Sequence, residues 1–316
     1  MDKNIIKQYG KSEVSQRLNI FWDISTQCNF KCTYCYAMRL NEWNKIDSWS
    51  NQQLILNIIK KSTLPVNLYI IGGEPTIHPK YNEIIKQSVD IVNKQTGNSV
   101  YIVSNGSKPE KFYKKHIYDK SIILAFSFHI EYEKRLGEDF CKLLKNISIA
   151  VERGFNVIIH FMIPVDPKDY KTAHTFLDNI EKISNNIIIR PYYIQKTEKE
   201  KEISCDYPPD VFKQFSRLQQ LPDEFILEYK NGIKKPFNFY SLFDKSKYSF
   251  KGWNCWNNMY EISWNGYVTK NCFAHNRKLI YTDPFYFKNI KNICSVTCPH
   301  TVCETQTLFN TYKEKT

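Results

Sequence analysis

Between Leu18 and about Tyr193 the chain alternates strand-like and helix-like segments six times. The strand-like runs are LNIFWDIS (18–25), VNLYII (66–71), SVYIVS (99–104), SIILAFSF (121–128), FNVIIHFMI (155–163) and NIIIRPYY (186–193), dominated by β-branched and aromatic residues. Between most of them apolar residues recur at helical spacing. One helix starts near Ser50, where Ser50 and Gln53 fit a capping box ahead of Leu54, Ile55, Ile58 and Ile59. Others cover roughly 80–95, 109–117, 138–153 and 168–184, and Gly154 reads as a helix stop. Strands regularly separated by helices dictate a parallel sheet with right-handed crossovers. A flat doubly wound sheet and an open, partial α/β barrel both satisfy that pattern.

The alternation stops after Tyr193. Residues 194–250 carry a charged stretch, Pro208–Pro209, a helix-like segment around 210–220 and many aromatics. Beyond them YEISWNGYVT (260–269) alternates and turns at Asn265–Gly266, a strong hairpin signal. The expected organisation is an α/β domain over 1–194, a connector over 195–250 and a small C-terminal module over 251–316.

No run of about 18 apolar residues could span a bilayer, and the N-terminus lacks the apolar core of a secretory signal. The expectation is a cytoplasmic protein with reduced thiols. The formal net charge of +12 raises a nucleic-acid partner. The cations, however, are mostly lysines scattered among glutamates, as in KTEKEKE at 196–202. That reads as a solvated lysine-rich surface, with an acidic electron-donor protein or RNA as the competing partners.

Of the ten cysteines, eight fall in two groups. Cys28, Cys32 and Cys35 lie in STQCNFKCTYCYA, just after the first strand, spaced C-x3-C-x2-C. Three thiolates on one short loop can converge on one site, and soft sulfur selects zinc or iron–sulfur clusters. A structural zinc would need a fourth ligand, and no other Cys or His lies nearby. Three ligands to a four-iron cluster leave one iron open to a cofactor.

With its aromatic Tyr34 before the last cysteine, this loop resembles that of the radical S-adenosylmethionine (SAM) superfamily. The resemblance implies a partial (β/α)6 barrel, with the loop at the C-terminal end of its strands, where barrel active sites gather. It also implies a SAM-binding [4Fe-4S] cluster held by Cys28, Cys32 and Cys35. Two further segments fit. In IIGGEP (70–75), consecutive glycines permit a close backbone approach, and Gly72, Gly73 and Glu74 resemble the motif that holds SAM's amino group. VSNG (103–106) resembles the Thr/Ser-Asn-Gly of relatives, which implies Ser104 and Asn105 near SAM's polar groups, and Ser127, at the end of the fourth strand, stands where relatives often have a serine contacting SAM. His129 stands where many relatives carry aspartate. In the region of a ribose contact, this chain has His160 or Met162.

Strand alternation adds an argument independent of family. Ser127 with His129, His160 with Met162, and Arg190 with Tyr192 each share a strand face, while the opposite faces are largely apolar. Parallel strands usually read apolar on both faces, so these residues point to a polar pocket inside the barrel. His129, Arg190 and Tyr192 are its catalytic candidates.

Cys255, Cys272, Cys294, Cys298 and Cys303 crowd the last 62 residues. The module resembles the SPASM/twitch extension of radical SAM proteins, although five residues rather than four separate Gly266 from Cys272. The count suits one auxiliary [4Fe-4S] cluster with one cysteine spare, Cys294 being the suspect. A zinc site helped by His275 or His300 is the alternative.

The resemblance implies reductive cleavage of SAM to a 5′-deoxyadenosyl radical that takes a hydrogen from the substrate. Expected partners are a peptide or small polar substrate and an electron donor such as flavodoxin or ferredoxin. The net reaction would be oxidation, epimerisation or cross-linking. About 17 residues precede the first strand, so no fused leader-peptide-recognition domain is expected. An RNA-modifying enzyme and a non-catalytic iron–sulfur protein are the alternatives.

Overall fold

The structure is a computed structural model that describes residues 5–10, 17–35, 42–93, 99–115, 119–132, 140–198, 201–204, 207–208, 210–220, 225–237, 252–270, 278–290, 294–297 and 312–315. A strand that periodicity did not reveal, β1 (Ile5–Gly10), comes first. The six expected strands and five helices then follow in order. They are β2 (Leu18–Asp23), α1 (Trp49–Lys60), β3 (Val66–Ile71), α2 (Tyr81–Asn93), β4 (Val100–Ser104), α3 (Glu110–Lys115), β5 (Ile122–Phe128), α4 (Cys141–Glu152), β6 (Asn156–Ile163), α5 (Tyr170–Ile183) and β7 (Ile188–Tyr193).

Strands β2 to β7 pair parallel with their sequence neighbours, the (β/α)6 arrangement of a partial barrel. Their outward residues, among them Trp22, Ile70, Ile102, Phe126, Phe128 and Phe161, form one continuous core with the helices. Full burial of each such side chain is worth about 1.5–3 kcal/mol, so this outer layer fixes the barrel's curvature and register. The inward face is different. Phe21, Tyr69 and Met259 form a small separate apolar cluster, with Ile71 and Tyr101 against it.

The first helix starts two residues earlier than the capping box suggests. Ser48, not Ser50, is the N-cap, accepting the Asn51 N–H at 3.2 Å. The reason lies upstream: Asp47 Oδ1 accepts from Ser48 N at 2.7 Å and from Asn51 Nδ2 at 2.9 Å, which sets the helix start at 48. Gly154 does end α4, in the left-handed region at φ +74°.

After β7 come the hairpin β8 (Gln195–Glu198) and β9 (Lys201–Ser204), a short helix α6 (Val211–Gln214), and the hairpin β10 (Phe225–Tyr229) and β11 (Lys234–Phe237). The C-terminal strands are β12 (Asn254–Asn257), β13 (Met259–Ile262), β14 (Tyr267–Lys270), β15 (Lys278–Leu279), β16 (Cys294–Thr297) and β17 (Tyr312–Glu314). The Asn265–Gly266 hairpin forms between β13 and β14. Its closing pair is Ser263–Tyr267, a three-residue loop with Gly266 left-handed at φ +80°, rather than a two-residue turn.

β13 lies parallel beside β2, so this hairpin continues the barrel's own sheet to nine strands, ordered β15-β14-β13-β2-β3-β4-β5-β6-β7. A second sheet of six strands, ordered β11-β10-β1-β17-β12-β16, joins strands from both ends of the chain. Among the described residues no helix is long and apolar enough to cross a membrane.

Candidate active site

The three clustered cysteines follow the C-terminal end of β2, and neighbouring segments fasten their loop on several sides. On its approach side, Gly73 N donates to Ser25 O at 2.8 Å and Glu74 N to Gln27 O at 2.6 Å. A Cβ on Gly72 would lie far inside contact distance of the Ser25 carbonyl oxygen, and one on Gly73 far inside that of the Gln27 carbonyl oxygen. The two glycines therefore admit another stretch of this chain's backbone, and Gly72 also holds φ +126°. On its far side the loop returns to pair with Thr26, whose hydroxyl reaches the Glu42 carbonyl and accepts from Lys45 N at 2.8 Å.

Glu74 is almost fully buried, and its carboxylate is the acceptor for four donors. Oε1 takes the Thr76 N–H (3.1 Å), the Thr76 hydroxyl (2.5 Å) and the Ser104 hydroxyl (2.9 Å), and Oε2 takes the Asn105 N–H (2.6 Å). Burial raises its pKa, opposed by those donors. Glu74 thus binds the turn after β3 to the end of β4. Asn105 carries the connection onward, its Nδ2 lying 3.0 Å from Asn29 Oδ1 and 3.8 Å from Cys28 Sγ.

The segment after β5 grips the loop from the other side. Glu131 accepts both the N–H and the hydroxyl of Thr33 at 3.0 Å. Tyr132 donates to Asn29 O at 3.1 Å and stacks on Phe30 with ring centroids 3.6 Å apart. The Tyr34 hydroxyl lies 2.8 Å from His129 Nδ1. None of Asn29, Phe30, Thr33, Glu131 or Tyr132 stands out in the sequence, because each acts through a partner on another element. The aromatic run FKCTYCY (30–36) is a signal from which such packing could have been read.

Burial pushes the Cys28 thiol up to about 12, against the lowering effect of the Phe30 N–H, which points at its sulfur from 3.3 Å. Burial also raises Cys32 to about 12, partly offset by a hydrogen bond from Tyr34. Left alone these thiols stay protonated at neutral pH. They become thiolates when a bound cation takes the place of the protons. N–H groups aimed at sulfur are what a thiolate ligand of an iron–sulfur cluster uses, so the donor set fits such a cluster. Among the described residues no three Cys, His, Asp or Glu side chains stand as a single-ion site. A multi-iron cluster, which gives each thiolate its own iron, does not require one.

The inward face beneath the loop is polar where the alternation places it. Ser127, His160 and Arg190 stand side by side in register across β5, β6 and β7, and Met162 stands beside Tyr192. The His160 and Tyr192 rings meet edge to face at 5.0 Å. Burial, reinforced by Arg190 and His129, pushes His160 down to about 3, and burial lowers His129 to about 4. Both imidazoles are therefore neutral at pH 7. Phe21, Tyr69 and Tyr101 form a stack across β2, β3 and β4, with successive centroids 4.1 Å apart. Arg190 and Tyr192 act electrostatically on Tyr69, which places the two walls within reach of each other. Neither this stack nor the buried Asp23, two residues along β2 from Phe21, was singled out from sequence.

In the second cysteine group, Cys255 is buried on β12, and Cys294 pairs with Asn257 in the β12–β16 register. Cys272, Cys298, Cys303, His275 and His300 lie outside the described residues.

Residues 22–177 match the family model of the radical SAM superfamily. Two curated relatives are each named S-adenosylmethionine-dependent nucleotide dehydratase. One, from Fibrobacter sp. (strain UWH6), is 31% identical over 29% of this chain and 28% of its own length. The other, from Psychrobacter lutiphocae, is 22% identical over 53% of this chain and 58% of its own. The chain thus matches less than two thirds of the length of either. Streptococcus suis SuiB bound to S-adenosylmethionine superposes with TM-score 0.53 at 15% identity, covering 85% of this chain and 64% of that one. The protein anSMEcpe, with bound AdoMet and a Cp18Cys peptide, gives TM-score 0.54 at 13% identity, covering 85% and 81%. At these identities the two structures share the fold alone.

Proposed function

We propose that this protein is a radical SAM enzyme that takes a hydrogen atom from a peptide or small polar substrate held inside the barrel. Cys28, Cys32 and Cys35 would hold a four-iron cluster. Gly72, Gly73, Glu74, Ser104, Asn105 and Ser127 form or brace the rim at which SAM would sit beside it. When bound, the reduced cluster would give one electron to the sulfonium of SAM, which would thereby split into methionine and a 5′-deoxyadenosyl radical able to take a hydrogen atom from the substrate and leave as 5′-deoxyadenosine.

The observation that carries this reading is the row of Ser127, His160 and Arg190 side by side on the barrel's inward face. Arg190 would anchor an anionic or carbonyl group of the substrate. His160 and His129, neutral beside it, keep one ring nitrogen each as an acceptor, for a substrate hydrogen bond or for a proton released on oxidation. The aromatic stack facing Arg190 excludes water from the reacting carbon. An electron-donor protein such as flavodoxin or ferredoxin would supply the electron. The five C-terminal cysteines would hold an auxiliary four-iron cluster with one to spare.

The same stack opposite a guanidinium favours one second reading, a nucleotide substrate, whose base has a flat face and whose phosphates need a cation. The names of the two curated relatives point the same way. The deciding assay is 5′-deoxyadenosine formed from SAM and dithionite after anaerobic reconstitution, with and without added substrates. Stimulation by peptides or small polar metabolites is expected. Stimulation by nucleoside phosphates alone would establish the second reading, and no 5′-deoxyadenosine at all would overturn both.

A further inference from the structure

The contact between Tyr34 and His129 leaves a choice of hydrogen-bond direction that the chemistry of Cys32 decides. The phenol has one proton and two possible partners: His129 Nδ1, 2.8 Å away, and the Cys32 sulfur, near enough for the phenol to hold that thiol's pKa down against burial. A neutral imidazole carries one N–H, on either nitrogen. If the phenol donates to His129, the sulfur receives nothing from it. If His129 carries its proton on Nδ1, it donates to the phenol oxygen and frees the phenol proton for the sulfur. A thiolate accepts hydrogen bonds and donates none, so once Cys32 is an iron ligand the second arrangement makes two bonds where the first makes one.

We propose that His129 Nδ1–H, the Tyr34 hydroxyl and Cys32 Sγ form a directed hydrogen-bond relay that tunes the cluster's reduction potential. This rests on the reading of Cys32 as a cluster ligand and deepens it. Tyr34 and His129 then act as positioning residues, working through the sulfur. A hydrogen bond to a ligand sulfur stabilises the more negative, reduced cluster and so raises its potential. Cys28 already receives the Phe30 N–H and the Asn105 amide. The relay gives Cys32 a comparable donor that is a side chain and can be removed. It also fixes the histidine's tautomer, leaving Nε2 as the acceptor nitrogen.

The test is an anaerobic redox titration of the reconstituted full-length chain, followed by electron paramagnetic resonance, with iron content measured alongside. Tyr34→Phe is expected to shift the midpoint of the SAM-site cluster to lower potential, and His129→Leu to shift it in the same direction by less. The opposite arrangement gives another pattern: no shift for Tyr34→Phe, and a rise for His129→Leu as the phenol turns to the sulfur. Either of those results overturns the relay. Should Tyr34→Phe fail to retain its irons, the sign of the His129→Leu shift decides alone. A wild-type chain that assembles no reducible cluster overturns the functional reading itself and the relay with it. An unshifted midpoint in a normally loaded Tyr34→Phe protein removes only the relay.

Discussion

At the scale of single residues, the site is held by groups that spend their hydrogen-bonding capacity on one another. Gly73 shows how little slack remains: its N–H is bonded to Ser25 O, and the space a side chain would need belongs to the Gln27 carbonyl. Gly73→Ala must therefore push apart the two backbone segments that present the cysteine loop. Overpacking of this kind costs about 1–3 kcal/mol, and the bonds lost with it add to the cost. The expected outcome is a lower urea midpoint and loss of the SAM-site irons, read by denaturation and by iron assay. Unchanged values in both would show that the loop does not depend on this contact. The glycine pair was legible in the sequence as a place of close approach, but what approaches was not. Sequence spacing shows that a backbone must come near, whereas the identity of the neighbour depends on how β2 and β3 end. Glu74 taught the same lesson, since Thr76, Ser104 and Asn105 have no periodicity that points at a carboxylate.

Among the elements, strands and helices of the barrel were readable because each carries its own signal. Outward residues such as Ile70 and Phe161 repeat with the period of the layer they join, and inward ones such as His160 and Arg190 break it. That contrast has a pH consequence. His78, His129 and His160 are pressed by burial to about 4, about 4 and about 3, against an ordinary value near 6.5. The unfolded chain therefore binds protons that the native barrel refuses. Their contribution to stability is complete above about pH 6.5 and declines as pH falls toward 4 and 3. The slope is about 1.4 kcal/mol per pH unit for each histidine. Urea midpoints measured between pH 7 and 4 are expected to fall, and His160→Gln to make the fall shallower. A midpoint independent of pH over that window would mean that the histidines already take up protons in the native state. The start of α1 was misread by two residues, because Ser48 and Ser50 offer equivalent caps locally. Asp47 decides between them, and Asp47 is itself held by the Tyr281 hydroxyl.

For the whole molecule, much less was legible. The six-stranded sheet is assembled from β1, β10, β11, β12, β16 and β17. Apart from the β10–β11 hairpin, their pairings join segments far apart in sequence, so tertiary packing specifies them. The hairpin at Gly266 was visible, but its attachment to β2 was not: the alternation in YEISWNGYVT shows that one face is buried, without showing against what. The proposal of two separate clusters in one chain makes a prediction at this scale. Cys28→Ala and Cys298→Ala are each expected to lose about four irons while keeping the other cluster. Iron counting with electron paramagnetic resonance checks it, and an unchanged count in Cys298→Ala would remove either the auxiliary cluster or that ligand.

The place of β1 also bears on how the chain is made. During synthesis β1 emerges before any of its partners exist, and it waits for β10 and then β17 to complete its pairing. The parallel strands from β2 to β7 meet their neighbours almost at once, in the order in which they appear. The barrel's parallel strands can therefore pair before the second sheet does, and β1 spends that interval as an unsatisfied edge. A strand made before the barrel is thus paired only after it, and it is where a folding helper would have most to shield.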